Sequence, residues 1–234
     1  MAYWGDFPSG DFATFDAVLA QQHAFAFPAG VTNGLSSVFL LQYLSAGGSL
    51  SDFSTGEVNA DALGAVLVFY ETAADAGLAN ATLLNYGTYT DYQTALQDRS
   101  LRAAVVPSST YLGFGAAGQA LAFAPIPMQA GQPTTLLDGW LWVITTPNPD
   151  RQAIAARFLD WMSQIERQSR YSQAIHMLPA LRGALRQAGI NAASGDFITQ
   201  LIGNAVLPQP EIASSVLAGA IQNAFSAVLS GQRT

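Results

Sequence analysis

TTLLDGWLWVIT, residues 134–145, is followed by TPNPDR at 146–151, QAIAARFLDWM at 152–162, SQIERQSRYSQAI at 163–175 and HMLPALRG at 176–183. The first segment is rich in β-branched and aromatic residues, and its one charge, Asp138, lies near its start, which predicts a strand. Side chains alternate along a strand, so Trp140 and Trp142 share one face. Pro147, Asn148 and Pro149 stop the strand in a turn. Two helical runs follow, 152–162 and 163–175, and Pro179 punctuates the return towards Arg182.

Outward from this stretch, helix and strand signals are mixed. Helices are expected over 11–22, over 34–46 with Thr32 or Asn33 as its cap, and over 59–76 closed by Gly77. Further helices are expected over 88–97, 195–206 and 210–229. Strands are expected over 23–27, 102–106 and 121–126, a small hairpin at 52–56, and a turn at 128–133. Mostly helix with interspersed strands indicates an α/β or α+β class.

Half of the 234 residues are hydrophobic and 11% are charged, so the chain can bury a sizeable core under a bland surface. The formal charge is −7, and the nine basic residues, all Arg, are scattered. A phosphate-backbone binder needs a basic face, so nucleic acid is not an expected partner. With no Cys, disulfides, zinc–thiolate sites and thiol nucleophiles are excluded. No run of about 18 apolar residues spans a membrane, and MAYWGDFP at the start lacks the basic and apolar regions of a signal peptide.

Gly139-Trp140, Pro147-Asn148, Phe158-Leu159-Asp160-Trp161 and Leu178-Pro179-Ala180-Leu181-Arg182, in that order, resemble the C-terminal half of extracellular solute-binding proteins of sugar ABC transporters, the maltose-binding-protein-like type. The resemblance continues in the helix and Gly-Gly turn of 39–50, in 56–59 with the helix of 63–70, in 92–105, and in Phe123-Ala-Pro-Ile-Pro127. It covers about residues 25–229. The implied fold is α/β, a helix-rich periplasmic-binding-protein-like lobe with an incomplete second lobe. About a hundred or more residues of the family's first lobe have no counterpart here. The implied division is 1–24 as a residual first-lobe segment, 25–135 with 180–234 as the second lobe, and 136–179 as a hinge strand plus helices that pack on the first lobe in the family.

The resemblance also implies candidate ligand contacts. Sugars are held by flat aromatic faces and a few polar groups. Trp140 matches the family's cleft aromatic, with core filling as the alternative; for Trp142 core filling is the expectation. Tyr111 lies where many members carry an aromatic. Asp138 either binds hydroxyls or is a solvated turn carboxylate. Asn33 either faces the cleft or caps its helix. Arg182 reaches either a ligand or an acidic neighbour.

No catalytic signature competes with this reading. His23 and His176 are the two histidines, without metal-ligand spacing, and no Gly-x-Ser-x-Gly elbow occurs. Gly113-Phe-Gly115-Ala-Ala-Gly118 matches a dinucleotide pattern only formally, because residues 107–112 separate it from the strand. The expectation is therefore a non-catalytic protein without metal or cofactor. It would bind a small sugar-like solute for an ABC permease, in an extracellular, periplasmic or cell-surface location. The alternative is a truncated or split-gene lobe that acts as an interaction module, with a separate first-lobe chain as its candidate partner.

Overall fold

The computed structural model describes residues 1–6, 8–114, 121–129, 132–187, 192–209, 212 and 215–232 (the backbone alone at 192–194). Its helices are α1 (Phe15–Gln21), α2 (Ser37–Ser45), α3 (Asp52–Thr55), α4 (Ala60–Asp75), α5 (Gln93–Gln97) and α6 (Ser108–Gly113). They continue with α7 (Pro149–Met162), α8 (Ile165–Ala174), α9 (Arg182–Gln187), α10 (Ala192–Gly203) and α11 (Val216–Leu229). Strands are short: β1 (Ala2–Tyr3), β2 (Ala103–Ala104), β3 (Ala122–Phe123), β4 (Thr135–Leu136) and β5 (Ala205–Val206). The helix-rich α/β class read from the sequence holds.

Two small sheets organise the strands. In the first, β1 lies between β2 and β3, antiparallel to both, with Ala2 opposite Ala104 and Phe123. In the second, β4 and β5 run parallel, with Thr135 opposite Ala205. The Leu137 amide extends that ladder by one bond to the Val206 carbonyl, and Asn204 Nδ2 donates to the Pro133 carbonyl at 3.2 Å.

The core is aromatic and joins distant parts of the chain. Phe39 of α2, Tyr70 of α4 and Phe225 of α11 meet with ring centroids 4.8 Å apart for both Phe39–Phe225 and Tyr70–Phe225. Phe27 joins them, and Phe15 stacks on Phe69 at 4.2 Å. Contacts between aromatic rings add to the area burial that stabilises such a core.

Two buried glutamines tie loops to this core. Gln42 Nε2 donates to the Pro127 carbonyl at 3.1 Å, and its Oε1 accepts from the Tyr70 hydroxyl at 2.7 Å. Burial raises the Tyr70 pKa, so the hydroxyl stays a donor. Gln222 of α11 accepts from the Ser36 amide at 3.0 Å and donates to the Ala29 carbonyl at 2.7 Å.

Several local expectations shift for physical reasons. The helix expected over 34–46 starts only at Ser37, because the Ser36 amide is drawn to Gln222 and its hydroxyl donates to the Pro28 carbonyl at 2.6 Å. The expected hairpin at 52–56 is the helical turn α3, where Asp52 Oδ2 accepts from the Ser49 amide at 2.9 Å and Gly56 ends the turn at φ 77. The expected strand over 23–27 is a single bridge, Ala26 to Ala104. The largest difference is at 134–145, where only Thr135–Leu136 is strand. The turn expected over 128–133 includes residues 130 and 131, which lie outside the described residues.

Candidate functional site

Each predicted contact residue has a definite place. Trp140 follows β4 by four residues, in an extended stretch without regular secondary structure, and is 84% exposed. Asp138 is exposed and its Oδ1 accepts from the Gly139 amide at 2.7 Å. Both residues are thus exposed in the irregular segment after β4.

Tyr111 sits on α6 and is half-buried. Its ring meets Phe123 edge-on at 5.2 Å, Phe123 stacks on Phe197 at 5.5 Å, and the hydroxyl donates weakly to the Leu121 carbonyl at 3.5 Å. Burial raises its pKa, so it presents a neutral hydroxyl at neutral pH. α6 ends close to the loop after α8: a Cβ on Gly113 would stand 4.0 Å from the His176 ring.

Asn33 is exposed in the 28–36 loop and does not cap α2; Ser36 holds the cap position. The loop itself is rigidly seated. Gly30 is required there because a Cβ would lie 1.8 Å from the Leu84 carbonyl oxygen, and the Gly30 amide donates to the Tyr86 carbonyl at 2.9 Å. Arg182 is exposed at the first position of α9. Among the described residues, no hydrogen bond, ion pair within 4.0 Å or ring contact joins any two of Asn33, Tyr111, Asp138, Trp140 and Arg182. An open polar depression of about 380 Å³ between α8 and α9 is lined instead by Glu166, Ser169, Arg170, Gln173 and Gln187.

The sequence reading misses the residues that hold the Asn33 loop in place, Gln222 above all. A signal is present: Gln222 lies on the stripe of Ala218, Ile221, Phe225 and Leu229, where a polar residue on a buried face requires a partner. Trp142, expected in the core, is more than half exposed, and its ring meets those of Phe158 at 5.9 Å and Tyr171 at 6.2 Å. Of the fifteen large apolar side chains exposed among the described residues, twelve lie between 137 and 175. Among the described residues no cluster of three or more His, Asp or Glu forms a metal cradle, and no helix is long and apolar enough to cross a membrane. Of the 113–118 glycine pattern only Gly113 and Phe114 are described; the rest lies outside the described residues.

Comparison with known proteins gives these positions a setting. The fold is similar to the maltose-bound MalE3 of T. maritima, with a TM-score of 0.64 and 17% identity, over 97% of this chain and 60% of that one. It is also similar to the cyclic alpha-maltosyl-1,6-maltose binding protein from Arthrobacter globiformis, with a TM-score of 0.58 and 14% identity, over 98% of this chain and 69% of that one. This chain thus spans 60% of the length of the T. maritima structure. No curated protein matches it. The family model described as bacterial extracellular solute-binding protein matches residues 2–195, and the chain belongs to that family.

Proposed function

We propose that this chain contributes to the capture of a small carbohydrate for delivery to an ABC importer, outside the cytoplasm, without making or breaking a bond. The observation that carries the proposal is the family match over residues 2–195, supported by a fold shared with two proteins whose ligands are maltose and a maltosyl-maltose. Trp140 supplies the stacking face for a sugar ring, and its exposure leaves that face available. Asp138 and Asn33 offer acceptors and donors for hydroxyls, Tyr111 a neutral hydroxyl beside an aromatic wall, and Arg182 a charge-assisted donor. Among the described residues no hydrogen bond, ion pair or ring contact joins these groups. The site is therefore proposed as one wall of a cleft, with residues 25–135 and 180–234 as the lobe bearing it and residues 127–140 and 178–182 as hinge crossings.

The proposal is tested by thermal unfolding of the chain with a panel of mono- and oligosaccharides. One sugar should raise the melting temperature in a saturating manner, following RT ln(1 + [L]/Kd). Trp140→Ala should abolish that rise while leaving the ligand-free melt unchanged. A cooperative melt that no sugar shifts, at concentrations up to about 10 mM, would sink the proposal of ligand capture by this chain alone.

A second reading is favoured by a different observation, the concentration of exposed apolar side chains between 137 and 175. Exposed apolar side chains gathered in this way are the material of an interaction face. In this reading the chain is one lobe of a two-part protein, and residues 136–179 are the part that belongs against its complement.

A further inference from the structure

Asn33-Gly34 is the one Asn-Gly pair of the chain. Such a pair carries the parts of an intramolecular acyl transfer. The carboxamide carbon of Asn is an electrophile, and the backbone nitrogen of the next residue is placed to close a five-membered ring on it. Gly puts no Cβ beside that nitrogen. Whether the ring closes depends on what holds the two groups, and here the fold holds neither.

The 28–36 loop is fixed at two places. The Gly30 amide donates to the Tyr86 carbonyl, and Ser36 is held through its amide by Gln222 and through its hydroxyl by Pro28. Between these anchors, residues 31–35 make no hydrogen bond among the described residues. The exposed Asn33 carboxamide is thus free to turn towards the Gly34 nitrogen, and Gly34 lies at φ 84, where its lack of a side chain costs nothing. The other asparagines differ. Asn59, Asn80 and Asn148 each accept the amide of a residue two or three positions on, and Asn204 donates to the Pro133 carbonyl. Asn223 lies inside α11, where the backbone is held in the helical ladder. Asn85 is followed by Tyr86, whose amide donates to the Leu83 carbonyl at 3.1 Å. Asn191 lies outside the described residues.

We infer that Asn33-Gly34 is a site of spontaneous covalent modification, in which the carboxamide is lost as ammonia and a carboxylate takes its place. The Gly34 nitrogen gives its proton to a solvent base and bonds to Asn33 Cγ. The Cγ–Nδ2 bond breaks, and Nδ2 leaves as ammonia with a proton from solvent. Water then opens the ring. Opening at Cγ leaves an aspartyl residue, and opening at the Asn33 main-chain carbonyl carbon leaves an isoaspartyl link that runs through Cβ and Cγ. One water is consumed and one ammonia released, with no oxidant or reductant. The formal charge moves from −7 to −8. Position 33 loses its amide donor and keeps only acceptors, so the modified chain offers a hydroxyl-bearing ligand one donor fewer. That consequence rests on the sugar reading above; the modification itself does not.

The test keeps the 234-residue chain in mildly alkaline buffer, folded and, in parallel, unfolded in guanidinium chloride. Samples are followed by isoelectric focusing and peptide mapping, with Asn33→Asp marking where the product focuses. The folded chain should gain a species one charge more acidic, with aspartyl and isoaspartyl forms both at residue 33 and one ammonia released per chain converted. The rate should rise with pH and lie within about tenfold of the unfolded rate, because no structure has to open first. Asn33→Gln, which keeps the amide on a side chain too long for the five-membered ring, should remove the acidic species. A folded rate slower than that bound would mean that the site is reached only through opening, and overturns the inference. An acidic species that persists in Asn33→Gln, or that maps to another asparagine, overturns it as well.

Discussion

The α2–α4–α11 body and the 137–175 extension both carry large apolar side chains but place them in opposite environments, and the helices of the extension are the more polar. Both are rich in large apolar residues. In the body, Phe39, Tyr70 and Phe225 are essentially fully buried among one another. In the extension, Trp140, Trp142, Phe158 and Trp161 are all exposed, and α7 buries no residue at all. Apolar content thus shows how much surface a segment is suited to bury, and not whether its own chain supplies the partner. The body buries its large apolar side chains within this chain, while most of those in the extension stay exposed among the described residues.

The contrast can be broken or sharpened by substitution. Phe225→Ala should lower the stability of the chain by about 4 kcal/mol in urea unfolding, because it opens a cavity where α2, α4 and α11 meet. A loss below about 1 kcal/mol would mean that the aromatic cluster is not the stabilising centre. Gln222→Leu should cost about 3 kcal/mol, because it keeps the volume but strands the Ser36 amide and the Ala29 carbonyl without partners. Destabilisation of the 28–36 loop should appear with it, as faster exchange of the Gly30 and Ser36 amides.

The next effect is a pH dependence. The Met1 ammonium of the 234-residue chain donates to the Ala124 carbonyl at 3.0 Å, and burial lowers its pKa from 8.0 to about 5. The folded state therefore disfavours the proton that the unfolded chain binds below pH 8. Stability should rise with pH between about 5 and 8, by about 2 kcal/mol from pH 6 to pH 8. N-terminal acetylation should remove that increment, and an unchanged slope after acetylation would contradict the assignment. The smallest effect belongs to the extension: Trp161→Ala, which removes a ring stacked on Phe158 and covered by Arg167 at 3.9 Å, should cost less than about 1 kcal/mol in the isolated chain.

Legibility in the sequence follows the same divide. The helix α4 is readable at both ends, because Asn59 accepts from the Ala62 amide at 3.1 Å and Gly77 adopts φ 73, both local signals. α7 is read as a helix over 152–162 but starts earlier, at Pro149, because Asn148 caps it from within the expected turn and Pro149 is suited to a first helical position. The start of α2 is not readable, because the group that displaces it, Gln222, is 186 residues away from Ser36. The apolar run of 134–145 has strand-forming chemistry, yet only Thr135–Leu136 finds a neighbouring strand here. Among the candidate contacts, the position of Trp140 directly after Gly139 is visible in the sequence. The seating of Tyr111 against Phe123, and the fixing of the Asn33 loop from α11, depend on contacts that no local pattern encodes.

The most direct measurement is hydrogen exchange on the isolated 234-residue chain, resolved along the sequence. The amides of α2, α4 and α11 should exchange only through global unfolding, while those of residues 140–145 exchange at the rate of unstructured chain. Protection of 140–145 equal to that of α4, in a monomer, would contradict the division into a body that buries its large apolar side chains and an extension that leaves most of them exposed.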